Sequence, residues 1–169
     1  MAWALFSDTL LSCMNCFVKN ANILKKLAFP RICLPIIATG SSVFTNVVLV
    51  VVSIVIAFFC GANIGFNLIY IPLLATLLLA LGFGAGLLCG VVNVFLRDLG
   101  HFVGILLQFG FWFTPIVYMI NLIPPQYQHL MYFNPLACVI EGYHNVILYN
   151  KAPDFSLLIY PSILAFLLI

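Results

Sequence analysis

The sequence predicts an all-α integral membrane protein, a bundle of about five transmembrane helices in one domain spanning residues 1–169. Three observations carry this. Residues of the AVILMFWYC set make up 65% of the chain and charged residues only 6%. A soluble domain carries about 25% charge because its surface must be wetted. The mean hydropathy is +1.24. Finally, no charge occurs between Arg31 and Arg97, or again from Leu99 to Ile140.

The first crossing is expected at about residues 3–18, interrupted by Asp8 and slightly short. The second is expected at about 34–60 and the third at about 68–92, parted by a Gly- and Asn-rich turn at 61–67. The fourth is expected at about 102–120. A fifth begins near Ser156, where only 14 residues remain against the roughly 20 a crossing needs. Both chain ends therefore read as incomplete crossings.

Orientation follows from the bases. Lys19, Lys25, Lys26 and Arg31 lie between the first two crossings and Arg97 between the third and fourth. Basic residues are retained in the cytoplasm during insertion, so both loops are expected there. Residues 19–33 form a cytoplasmic loop in which Asn22 caps a short amphipathic helix and Pro30 stops it. That helix either rests on the lipid surface or docks a cytoplasmic partner.

Residues 121–150 are apolar but broken at Pro124-Pro125 and at Asn134-Pro135. The pieces, about 126–133 and 136–148, are too short to cross. They fit either a re-entrant hairpin on the external side or two helices flat at the interface, with Tyr127, Tyr132, Tyr143 and Tyr149 at the lipid headgroups.

Individual residues suggest further roles. Gly82, Gly86 and Gly90 recur every four residues, giving a smooth helix face for a neighbour in the same subunit or, less favoured, a second copy. The glycines do not complete a dinucleotide or phosphate loop. Asp8 reads either as a polar lining inside the membrane or as an interfacial residue of an incomplete helix. Pro115 is expected to kink the fourth crossing. On that helix Gln108 and Trp112 share one face and Phe102, Phe109 and Phe113 another, the phenylalanines read as packing. Cys13-x-x-Cys16 has no second pair and reads as two small hydrophobes. His101, His129 and His144 compose no metal set with the acids, no catalytic arrangement stands out, and no basic tract suits nucleic acid.

Several blocks together resemble the permease subunit of type-2 ABC exporters, in the group that exports O-antigen, capsule and teichoic acid. They are Asn20-Ala-Asn22-Ile-Leu-Lys25-Lys26 with Phe29-Pro30-Arg31, then Asn93-Val-Phe-Leu-Arg97-Asp98, Phe113-Thr-Pro115-Ile-Val-Tyr118, Asn134-Pro135 and Ile140-Glu141-Gly142-Tyr143. Against the family pattern the chain lacks an entry helix and first crossing, its sixth crossing is incomplete, and His144 stands where a base often follows. The resemblance implies a homodimer in a bacterial inner membrane, with a glycan or lipid-linked glycan passing between the copies. ATP and magnesium would bind a separate ATPase subunit, leaving this chain without cofactor or catalysis. It implies that Asn20, Asn22, Lys25, Lys26, Phe29, Pro30 and Arg31, with Arg97 and Asp98, couple to that ATPase. Asp8, Gln108, Trp112 and Pro115 would line or shape the path, and Asn134, Pro135 and Glu141 its outer gate. It also favours the hairpin over the flat arrangement. A secondary transporter and a non-transporting assembly subunit are the other readings.

Overall fold

The computed structural model describes residues 1–20, 33–59, 65–96, 98–116, 133–147 and 149–168. Among these, every regular element is helical: α1 (Ala2–Lys19), α2 (Cys33–Phe59), a 3-10 turn (Phe66–Tyr70), α3 (Ile71–Phe95), α4 (Leu99–Phe113), α5 (Pro135–Ile147) and α6 (Phe155–Leu168). The arrangement is an all-α membrane bundle. With the turn that precedes it, α3 has the length and apolarity to cross a bilayer, as does α2. At 1.5 Å per residue α2 and α3 span about 40 and 37 Å, against a hydrocarbon core of about 30 Å.

Helix ends follow local chemistry. The third helix starts at Ile71 rather than near Leu68, because Pro72 lies in its first turn, where a missing N–H removes no hydrogen bond. A correction applies at Pro115. It does not kink α4; the helix stops at Phe113, with Thr114 extended at φ −89°, ψ 138°. The proline ring disfavours helical backbone at the residue before it, so the helical ladder ends at Thr114.

The core forms where α1 lies along α3, with α5 and α6 completing it. The two helices run parallel, and the glycine strip faces α1. Gly82 lies against Phe6 and Thr9, Gly86 against Leu10 and Cys13, and Gly90 against Cys13, Met14 and Phe17. Small residues let helix backbones approach within an apolar solvent, where packing rather than water expulsion drives association. The strip is thus consumed within one subunit. Leu74 and Leu78 of α3, Met14 of α1 and Val139 of α5 are fully buried beside it.

Two elements stand at the rim. Helix α2 touches α1 mainly through Leu34, Pro35, Ser42 and Asn46, and exposes Val47, Val51, Phe58 and Phe59. On α4 the Phe102, Phe109 and Phe113 stripe is exposed too, so it is not core packing as expected from sequence. An apolar belt of this extent has no place against water.

Candidate functional site

The bundle has two polar ends. At one, Lys19 and Asn20 finish α1 and Asp98 precedes α4. Asn20 closes α1 by donating its side-chain amide to the Cys16 carbonyl at 2.9 Å. Nearby Asn93 of α3 is 2% exposed and donates to the Asn15 side-chain oxygen at 3.4 Å and the Met14 carbonyl at 3.5 Å. Gly100 of α4 sits against the same asparagines. Three helices therefore share one polar junction at this end of the bundle. Asn22, Lys25, Lys26, Phe29, Pro30, Arg31 and Arg97 lie outside the described residues.

At the far end, Asn67 donates its amide to the backbone carbonyl and side-chain oxygen of Asn150. Asn150 has φ 48°, and its side chain fills the space above Gly65. The start of α3 is thereby fastened to the segment after α5.

A third polar cluster lies between the ends. Asp8 and Ser12 on α1 face Ser41, Ser42 and Thr45 on α2 across a groove of about 180 Å³. Spacings of three and four residues place each set on one side of its helix. Asp8 lies about 9 Å from the start of α1 and about 16 Å from its end at 1.5 Å per residue, well inside the apolar length. Ser41 donates to the Ala38 carbonyl at 2.9 Å and Thr45 to the Ser41 carbonyl at 3.1 Å. Their hydroxyl protons are thus directed inward, and their lone pairs, with the Asp8 carboxylate, make the groove rich in acceptors. Next to it Asn46 is 6% exposed with an amide nitrogen that has no hydrogen-bond partner. Such a surface suits water or a ligand carrying many hydroxyl donors.

The sequence-derived path and gate residues do not gather in one place. Pro115, Asn134 and Pro135 come together. Thr114 donates its hydroxyl to the Gly110 carbonyl at 2.8 Å and accepts the Asn134 amide at 3.2 Å. The Asn134 side-chain oxygen in turn accepts the Leu136 N–H at 3.0 Å, capping α5, whose first residue is Pro135. Tyr160 of α6 donates to the Phe133 carbonyl at 3.2 Å. Glu141 is half-buried on α5. Gln108 and Trp112 are exposed on α4 and do not line the Asp8 groove. The first half of the expected hairpin, residues 126–132, lies outside the described residues.

Reading single residues missed Thr114, the Asn15–Asn93 pair and the serines of α2. Thr114 carried a signal, standing between Phe113 and Pro115 in the block already singled out. Among the described residues no group of three His, Cys, Asp or Glu side chains gathers as a metal site would require.

The model of the ABC-2 type transporter family matches residues 1–148. Two O-antigen export system permease proteins RfbA of Klebsiella pneumoniae are each 28% identical over 145 residues, covering 85% of this chain and 56% of theirs. A protein of the same description from Myxococcus xanthus is 24% identical over 160 residues, covering 91% of this chain and 60% of its own length. The chain thus spans a little over half the length of these curated relatives.

Proposed function

Given that the chain belongs to the ABC-2 type transporter family, we propose that it is the membrane-spanning subunit of an ATP-driven exporter. Its cargo is a polysaccharide or lipid-linked glycan, moved outward across a bacterial inner membrane. Two copies pair, and a separate ATPase binds the loops at the basic end. Residues 20–31, Arg97 and Asp98 receive the ATPase stroke, and the Asn15–Asn93–Gly100 junction carries it into three helices. At the far end the Thr114–Asn134 clip and Glu141 form the exit gate. The observation that carries this reading is the groove of Asp8, Ser12, Ser41, Ser42 and Thr45 in an otherwise apolar rim. A lipid-facing helix has no use for such acceptors, whereas a passing sugar chain supplies hydroxyl donors to them.

The test is water access. Single cysteines replace Ser12, Ser41 and Val47 in a protein freed of native cysteines and studied with its ATPase. Val47 is an exposed apolar residue of α2. The Ser12 and Ser41 positions should react with a charged thiol reagent at least tenfold faster than Val47, and accumulated glycan substrate should slow them. Equal, slow reaction at all three removes the groove from the path. Surface glycan that persists after the gene is deleted removes the exporter assignment itself.

A further inference from the structure

Asp8 sets a requirement that a neutral cargo does not meet. Its carboxylate stands well inside the apolar length of α1, where a charge is costly unless an opposite charge offsets it. The groove is walled by Asp8, Leu11 and Ser12 of α1 and by Ser41, Ser42 and Thr45 of α2, so among the described residues no basic side chain lines it. Lys19 lies on the same side of α1 but at its far end, about 16 Å along the helix axis. Sugar hydroxyls can donate to the groove's oxygens, yet they leave its negative charge standing.

We propose that the Asp8 groove binds one monovalent alkali cation, held between α1 and α2. The hydroxyls are set as ligands. Ser41 commits its proton to the Ala38 carbonyl at 2.9 Å, and Thr45 commits its own to the Ser41 carbonyl at 3.1 Å. Each then has only lone pairs to offer the groove, which is what a hard cation takes. The charge fits as well. Asp8 is the one carboxylate among the lining residues, and no His or Cys stands with it. Calcium sites gather several carboxylates, and transition metals favour imidazole or thiolate, whereas a single negative charge among hydroxyls balances one positive charge. A groove of about 180 Å³ has room for the ion and several waters, which complete the shell that the side chains begin. Ligands come from both helices, and that contact is otherwise narrow, since the residues α2 buries are Leu34, Pro35, Ser42 and Asn46. The ion is therefore a clamp of α2 on α1. This inference does not rest on the identity of the cargo.

The test uses the full chain in phosphatidylcholine nanodiscs, with thermal unfolding followed by tryptophan fluorescence. Sodium and potassium chloride are titrated separately, and N-methyl-D-glucamine keeps the ionic strength constant. At least one of the two should raise the unfolding midpoint along a saturable curve, because an ion that binds only the folded state stabilises it by mass action. In Asp8→Asn the rise should vanish, and without alkali ions that variant should unfold no earlier than its parent, since it deletes an uncompensated charge. Ser41→Ala keeps the charge and removes one ligand oxygen, so it should raise the half-saturating concentration about threefold to tenfold. Radioactive sodium or potassium bound to the unsubstituted chain, read by scintillation proximity, should saturate at one ion per chain; this arm needs no variant to fold. The proposal is overturned by no saturable response to either ion, by an equal response in Asp8→Asn, by an earlier unfolding of that variant without alkali ions, or by an undiminished response in Ser41→Ala. It is also overturned if magnesium chloride or acid alone reproduces the rise, which would assign the charge balance to a divalent ion or a proton. If the ion fails to bind while glycan still slows thiol reaction at Ser12 and Ser41, the cation site falls alone. If the ion binds and glycan does not slow that reaction, the sugar path falls and the cation site stands.

Discussion

Replacing Gly86 by alanine tests the contact on which the bundle is built. The new methyl carbon would stand 2.7 Å from the Cys13 Cβ and 2.9 Å from the Leu10 carbonyl oxygen. Relaxed carbon–carbon contacts sit at about 3.5–4.0 Å, so α1 must withdraw by roughly 1 Å. Neither obstacle is a side-chain tip that a rotamer change could clear. Overpacking of this kind costs about 1–3 kcal/mol, against a helix-propensity gain of about 1 kcal/mol for Gly→Ala. At the middle of that range the net loss is about 1 kcal/mol. Gly104 on α4 supplies the control, because a Cβ there meets nothing within 4 Å. Gly104→Ala should be neutral or stabilising by up to about 1 kcal/mol. Two identical chemical changes are thus expected to act with opposite signs. Gly82→Ala, with contacts of 3.1 Å, should be intermediate, and Gly90→Ala, at 3.3–3.4 Å, nearly harmless. The assay is reversible unfolding in lipid bicelles titrated with dodecyl sulfate and followed by circular dichroism. A Gly86→Ala variant as stable as Gly104→Ala would show that the strip does not hold α1 to α3.

Three further outcomes can be checked. Asn134→Ala should lower stability by about 1 kcal/mol through loss of the α5 cap, while Asn134→Asp keeps the cap and loses only the donor to Thr114, so bicelle unfolding should rank alanine as the worse. At Asn150, φ 48° suits glycine and opposes a β-branched residue, so Asn150→Val should destabilise more than Asn150→Gly in the same assay. Equal losses would show that the side-chain bond to Asn67, not the backbone, dominates. Cysteines introduced at Asp98 and Asn150 should label from opposite sides of the membrane with an impermeant thiol reagent, Asn150 from outside intact cells; outside labelling at Asp98 would invert the orientation.

The parts of the fold legible in sequence are those written in strong local contrast. Charge-free runs marked α2 and α3 to within a few residues, and glycines four apart announced a packed face whose neighbour proved to be α1. What escaped depends on how helices lie against one another. Gln108 and Trp112 share a face of α4, but periodicity does not say which way a face points, and this one points out of the bundle. Asp8 looked like a lone acid because serines and threonines in a span can bond their own helix backbone, as Ser41 and Thr45 do, and so leave no mark of a polar surface. Only the pairing of α1 with α2 sets those hydroxyls across from the carboxylate. Pro115 was read as a kink because the proline was visible and the end of its helix was not. Sequence leaves Tyr143 open between a re-entrant hairpin and a flat interfacial helix, since its burial comes from the packing of α5 in the bundle.

The Asn67–Asn150 contact sets an order of assembly as the chain leaves the ribosome. Its two residues are 83 positions apart. The glycine strip can engage α1 once α3 has entered the membrane, whereas Asn67 must keep its amide in water until Asn150 has been made. The first three helices therefore associate early, and the far end closes last, after α4 and α5 are in place. A ribosome paused within α5 would hold a bundle whose glycine seam is shut and whose far end stands open.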